Sequence, residues 1–315
     1  MLNINQIHEA RERIASRIHR TPVLTSKQFN EVSGKEVFFK CENFQRAGAF
    51  KIRGATNKIQ SLTEDEKRSG IVAFSSGNHA QAVALAGREA GVRVLVAMPS
   101  DAPHAKVTAT REYGAEVVFY DRLKQDREAF ALDLAERERL VMVPPYDDEM
   151  ILAGQGTCGL ELLEDVPDLD CVLTPCSGGG LFAGVATAAK AANPDIRCFP
   201  IEPADADDTL QSLRKGERVT IPPPATIADG LRVQIPGRIT FPIVQQLADD
   251  VLIVTDDEII ATLRFMLFRM KVLVETSGAT AAAAVMFNKL PANVKRVGVV
   301  LSGGNIDPEL LVKLL

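Results

Sequence analysis

From Gly70 onward, short apolar runs rich in β-branched residues alternate with longer segments of helical periodicity, and few folds accommodate that alternation. Residues 71–74 read as a strand and 78–90 as a helix, followed by strand 92–97, helix 106–113, strand 117–120 and helix 127–139. Strand 140–143 closes the series at Pro144-Pro145. A second series begins at Met150, with strands at 171–174, 197–201, 251–254 and 297–301 and helices near 181–192, 257–270 and 277–288. Strands that are apolar throughout are buried on both faces, and helical connections between them imply parallel pairing. The expected architecture is α/β: two modules facing each other, each a mostly parallel sheet between helical layers, with a ligand at the strand carboxyl ends. Upstream, Ile4, Ile7, Ala10, Ile14 and Ile18 are spaced as one face of a first helix, and residues 37–40 read as a strand. Residues 216–236, proline-rich and aperiodic, are expected to form a long ordered loop.

With 315 residues, a 24% charged and 46% hydrophobic composition and a net charge of −5, the chain can build one large domain or two medium ones. No lysine/arginine block suggests a nucleic-acid surface. The start Met1-Leu2-Asn3-Ile4-Asn5 lacks the features of a signal peptide and no apolar run approaches spanning length, so a cytoplasmic protein is expected. The 5 cysteines form no CxxC pair and read as buried reduced thiols, with Cys176 the one that borders a glycine loop and is a candidate for access. Only 4 histidines are present, which leaves little material for a histidine-based centre.

Lys51, in Ala49-Phe50-Lys51-Ile52-Arg53-Gly54-Ala55, opens a helix expected to reach about Leu62. An amine held in an apolar stretch loses its charge readily, which makes it a Schiff-base candidate; most lysines near helix starts are simply solvated. Strand 171–174 runs into Pro175-Cys176-Ser177-Gly178-Gly179-Gly180-Leu181, where glycines let backbone N–H groups converge on a phosphate at a helix start. Gly178-x-Gly180-x-x-Ala183 equally fits the dinucleotide fingerprint, with Glu202 as ribose-binding acid, and a nicotinamide-dependent oxidoreductase stays open at this point. A purely structural tight turn is a third reading. Two more strand ends carry Ser302-Gly303-Gly304-Asn305 and Ser75-Ser76-Gly77-Asn78-His79. Taken alone, Asn78 is best read as the N-cap of its own helix.

In this order, the motifs resemble fold type II pyridoxal-phosphate enzymes, specifically the serine racemase and serine/threonine or threo-3-hydroxyaspartate dehydratase group. Asn43-Phe44-Gln45 through Ala55 resembles that group's cofactor-lysine motif, and Ser75 to Gln81 its asparagine loop. Ala153-Gly154-Gln155-Gly156-Thr157, Ala228-Asp229-Gly230 and Leu301 to Asn305 follow in the family's order, so the resemblance spans essentially the whole chain. It implies a large cofactor domain (residues 1–47 and 146–315), a small domain (48–145) and an active site in the cleft between them. By resemblance, Lys51 would join the cofactor covalently and Phe50 would flank its ring. Asn78 would meet the phenolic oxygen, Ser177, Gly178, Gly179, Gly180 and Leu181 the phosphate, and Ser302 the pyridine nitrogen. The family's phosphate loop usually has four glycines, and here Ser177 takes the first place.

The implied reaction is dehydration and deamination of a small β-hydroxy amino acid to a 2-oxo acid and ammonia. A neutral serine at the ring nitrogen leaves the pyridine unprotonated, which favours prompt loss of the β-hydroxyl. Lys51 would act as general base and Ser76 would protonate the opposite face in racemisation, or merely contact the substrate carboxylate; Ser75, Ser76 and His79 would bind the substrate. Arg127 matches an arginine able to meet a second carboxylate, or is a plain first-turn helix residue. Glu202, the Ala206 carbonyl and Asp208 resemble a loop that binds magnesium, manganese or calcium, against the alternative of a solvated acidic turn. Tyr113 resembles a nucleotide-contacting position, from which no regulation is read. A homodimer is the family expectation. The chain ends soon after the last motif, so the regulatory domain of biosynthetic threonine dehydratases is expected to be missing.

Overall fold

A computed structural model of the chain describes residues 1–102, 104–121 and 123–315. Among the described residues, ten strands form two sheets: β1 (Val23–Thr25), β2 (Glu36–Cys41), β3 (Ile71–Phe74), β4 (Val94–Pro99), β5 (Glu116–Tyr120), β6 (Val141–Met142), β7 (Cys171–Pro175), β8 (Arg197–Pro203), β9 (Leu252–Val254) and β10 (Arg296–Leu301). The larger sheet has the order β1-β2-β10-β7-β8-β9 and the smaller β5-β4-β3-β6. All pairings are parallel except β1 with β2. The register places Gly298 of β10 opposite both Phe38 and Val172.

The expected burial on both faces is visible residue by residue. Along β10, Val297, Val299 and Leu301 join a core with Phe29, Phe39 and Phe199, while Val300 points the other way to Phe182, Val185 and Leu162. Along β4, Val94, Val96 and Met98 pack under helices Lys51–Gln60 and Asn78–Ala90, while Leu95 meets Leu134 of helix Arg127–Glu138 on the reverse face. Period-two side chains in a sheet covered twice give this arrangement.

Several expectations need correction. The first helix stops at Ile14, not Ile18. Helix Glu149–Asp165 has no counterpart in the sequence reading: Ile151 through Leu163 are buried, so it shows no polar face from which a period of 3.6 could be read. Its glycines allow close backbone approach. A Cβ at Gly154 would lie 2.6 Å from the Gly54 Cα, and one at Gly184 only 2.5 Å from the Gly156 nitrogen. The lysine-bearing helix Lys51–Gln60 and helix Gly180–Ala192, which follows the glycine loop, are thus both seated on this buried helix. Cys176 is buried like the other four cysteines, all of them free thiols, and burial holds it well above the usual thiol range. Residues 216–236 hold only the short 3-10 turn Asp229–Leu231. Among the described residues, no helix is long and apolar enough to cross a membrane.

Candidate active site

The carboxyl ends of β3, β7 and β10 open onto one cavity of about 560 Å³. Its walls include Phe50, Lys51, Ser75, Ser76, Asn78, His79, Arg127, Ser177, Gly178, Gly179, Gly180, Leu181 and Ser302. Glu202, Ala206 and Asp208 do not line it.

Lys51 is the first residue of its helix, with Phe50 as N-cap and its Nζ 5.0 Å from the Phe50 ring centroid. Nζ donates to the Pro145 carbonyl at 2.6 Å. Burial lowers this ammonium from 10.5 to about 8, because removal from water disfavours the charged form. His79 is neutral: burial, then the Lys51 charge, push it down to about 3. Its Nε2 faces the Val143 carbonyl at 2.9 Å and its Nδ1 has no described partner.

The glycine loop is shaped from behind. Tyr146 packs so tightly that a Cβ at Gly178 would sit 2.4 Å from its ring, and Gly179 has φ +86°. The Thr240 hydroxyl donates to the Gly178 carbonyl at 2.6 Å, turning that acceptor away while the first-turn amides of helix Gly180–Ala192 lack helical partners. The N-cap of helix Asn78–Ala90 is Gly77, not Asn78. The Asn78 side chain is engaged elsewhere: Nδ2 donates to Glu275 Oε1 at 2.7 Å, and Oδ1 accepts from Asn305 at 2.9 Å. Arg127 is exposed in the first turn of its helix and also lies at the cavity wall, 5.8 Å over the Phe74 ring, with no carboxylate partner among the described residues.

Sequence reasoning passed over Tyr146 and Glu275 and gave no role to Asn305 or Asp229, although both stand in quoted motifs; Tyr146, Glu275 and the Lys106–Asp229 ion pair (2.5 Å) are at the cavity wall, and Asn305 lies behind Asn78. Glu275 is 5% exposed, and burial, then Asp229, raise it to about 8. Its one local signal was an isolated acid in the run Val272-Leu273-Val274-Glu275-Thr276.

Glu202 serves neither the cavity nor a ribose. It is fully buried, and its two oxygens accept the Thr209 and Leu210 N–H groups at 3.0 Å each, which removes the dinucleotide reading of that acid. Beside it, Asp208 is also buried, and neither of its carboxylate oxygens has a described partner. Burial raises Asp208 to about 8, and burial with the Asp208 charge holds Glu202 well above the carboxylate range. No three His, Cys, Asp or Glu side chains cluster as a metal site among the described residues.

A desolvated lysine amine, a glycine cradle at a helix start, a half-buried asparagine amide and the Ser302 hydroxyl in one cavity fit the aldehyde, phosphate, phenolic oxygen and pyridine nitrogen of pyridoxal phosphate. They define a pyridoxal-phosphate enzyme of fold type II. The family described as "Pyridoxal-phosphate dependent enzyme" matches residues 14–303, and the chain belongs to it. It is 47% identical over 305 residues to a serine racemase of Schizosaccharomyces pombe, covering 97% of this chain and 94% of that one. It is 44% identical over 311 residues to an L-threo-3-hydroxyaspartate ammonia-lyase of a Pseudomonas species, covering 99% and 98%. The solved structure of maize serine racemase superposes with a TM-score of 0.95 at 42% identity, covering 99% of this chain and 96% of that one.

Proposed function

We propose that the chain catalyses elimination of water from a small β-hydroxy amino acid (serine, threonine or threo-3-hydroxyaspartate), the unsaturated amine then taking up water to give a 2-oxo acid and ammonia, with serine racemisation at the same site. The observation that carries this is the Lys51 amine, stripped of water and facing the same cavity as the glycine cradle, Asn78 and Ser302. Pyridoxal phosphate, when bound, supplies an aldehyde that takes up an amine and a ring that accepts the electron pair left by the α-proton. Lys51 Nζ takes that proton as general base, and its lowered basicity places it near working pH. The amides from Ser177 to Leu181 hold the phosphate, Asn78 the phenolic oxygen and Ser302 the ring nitrogen, with Phe50 beside the ring. Ser75, Ser76 and the neutral His79 receive the substrate, and the Ser76 hydroxyl returns a proton to the opposite face in racemisation. Residues 1–47 and 146–315 form the cofactor domain in this reading and 48–145 the smaller one, and the working unit is a homodimer.

Arg127, without a carboxylate partner at the cavity wall, suits the second carboxylate of 3-hydroxyaspartate. Arg127→Ala is expected to lower kcat/KM for threo-3-hydroxyaspartate roughly 10- to 100-fold while serine changes by less than about threefold. Equal losses on the two substrates remove the arginine from recognition of the distal carboxylate. Ser76→Ala is expected to suppress serine racemisation while sparing elimination, read as D-serine and pyruvate formed from L-serine. Parallel loss of both products rules out that role.

Asp208, with both oxygens buried and unpartnered, suits a hard cation held together with Glu202 and the Ala206 carbonyl. Magnesium, manganese or calcium at about 100 times its Kd is expected to stabilise the fold by about 2.7 kcal/mol, and Asp208→Asn to abolish that gain. Identical melting with cation and with chelator excludes the site.

A further inference from the structure

Asparagine is a near-symmetric group, and an Asn78 amide that could turn over would present its carbonyl oxygen to the cavity as readily as its NH₂. Only the NH₂ can donate to a phenolic oxygen. The surroundings remove that freedom through a chain of contacts whose polarity is set at one end. The Ala47 backbone carbonyl can only accept, so the Asn305 group 2.7 Å from it must be the NH₂. The same Asn305 nitrogen lies 2.9 Å from Asn78, so the facing Asn78 atom must be its oxygen. The Asn78 nitrogen then faces Glu275 Oε1 at 2.7 Å. One N–H is used there, and the second is left over on a residue that lines the cavity.

Both partners are built in tightly. The Ala47 carbonyl is presented by a turn with φ +56° at Ala47 and +71° at Gly48. A Cβ on Gly48 would fall 2.2 Å from Asn305 Oδ1, and one on Gly303 would fall 2.5 Å from Glu275 Oε1. The Glu275 N–H donates to the Gly303 carbonyl at 3.0 Å, and the Gly304 N–H to the Gly48 carbonyl at 2.9 Å. The loop after β10 and the turn before Lys51 thus hold one another while they flank Asn78.

We infer that Asn305 and Glu275 are positioning residues: together they fix the Asn78 amide with an N–H available to the bound cofactor. This rests on the reading of Asn78 as a partner of the cofactor, and the two are separable. The experiment uses purified holoenzyme and its Asn78→Ala, Asn305→Ala, Glu275→Ala and Glu275→Gln variants, with the doubles Asn78→Ala/Asn305→Ala and Asn78→Ala/Glu275→Ala. The readouts are the visible absorbance of the bound cofactor, its dissociation constant and the melting temperature. Asn305→Ala and Glu275→Ala are expected to move the band in the direction of Asn78→Ala and to weaken cofactor binding roughly tenfold each. Glu275→Gln keeps an acceptor for Asn78 and is expected to stay within about threefold of the parent. Each double is expected to match Asn78→Ala alone, because a residue acting through another has nothing left to act on. Lowered melting with unchanged band and binding, or losses that add in full in the doubles, overturns the inference. Should Asn78→Ala itself leave band and binding unchanged, the reading of Asn78 fails and this inference with it.

Discussion

Lys51→Ala abolishes turnover in the expected result, lowering kcat/KM for every hydroxy amino acid by more than about 10⁴-fold while leaving the fold intact. The fold is spared because the side chain's one described hydrogen bond goes to the Pro145 carbonyl, and alanine suits the helix Lys51–Gln60 that the residue begins. The chemistry is lost because no other amine takes this place: Lys106, also at the wall, is committed to Asp229. An amine that titrates near 8 is about one-tenth unprotonated at neutral pH, against about one part in three thousand for an ordinary lysine. In cofactor-free enzyme, labelling of Lys51 by an amine-reactive reagent should therefore rise about tenfold per pH unit and level off near pH 8. A plateau delayed to the ordinary 10.5 contradicts the desolvated site, and turnover retained by Lys51→Ala takes the residue out of the reaction altogether. The same shift has a sign for stability. The folded state releases this proton more easily than the unfolded chain, so the group's contribution grows as pH rises from about 8 toward 10.5.

Where pattern is local, the sequence is a good guide to this molecule. Strand Ile71–Phe74 and helix Asn78–Ala90 end where their apolar periods end, and the strand–loop–helix order around Ser177 is evident from three consecutive glycines. Apart from Phe50 and Lys51, which stand at a helix start, the expected cofactor contacts were legible for the same reason, since they sit in short strand-end loops rich in serine, asparagine and glycine. What stayed hidden is whatever depends on contact between distant segments. Helix Glu149–Asp165 carries glycines where it touches other backbones and buries polar Gln155, Thr157 and Glu161 along with its apolar residues, and that composition erases helical periodicity. Glu275 and Asn305 gain their meaning only from Asn78, 197 and 227 positions away. For Asn78 only the local pattern misled, because serine, glycine and asparagine before a helix signal a cap, whereas its side chain turns to the cavity wall, as the resemblance implied, and Gly77 takes the capping position.

Arg53, two residues beyond Lys51, is the largest fully buried side chain of the chain's described residues, and its replacement by methionine carries the largest expected stability loss. Its guanidinium meets Glu42 at 2.7 and 2.8 Å and Glu161 at 2.8 and 2.8 Å, in two paired contacts. Lys40, also fully buried, reaches Glu161 at 2.7 Å, and the Thr21 hydroxyl donates to Glu42 at 2.6 Å. Two cations and two anions cancel, so the quartet is tolerable without water only while complete. Removing Arg53 leaves Glu42, fully buried, with Thr21 as its remaining hydrogen-bond donor, and a loss of about 3–5 kcal/mol is expected in urea unfolding. Arg53→Lys is not expected to rescue it, since an ammonium cannot present two forks to two carboxylates. Arg53→Met combined with Glu42→Gln removes one charge of each sign and is expected to recover part of the loss; a double variant as unstable as the sum of its parts would refute the charge-balance argument. The quartet also sets an acid limit. Burial pushes Glu161 up, but Arg53 and then Lys40 outweigh it and hold the group below its ordinary 4.5. The stabilisation is therefore present above 4.5 and lost as pH falls through the lower folded value. Because Arg53 belongs to the helix that Lys51 begins, while Lys40, Glu42 and Glu161 come from β2, the turn after it and helix Glu149–Asp165, the same four charges hold the Lys51 helix against the larger sheet. Cofactor affinity in Arg53→Met should accordingly fall along with stability, even at temperatures where the variant remains folded.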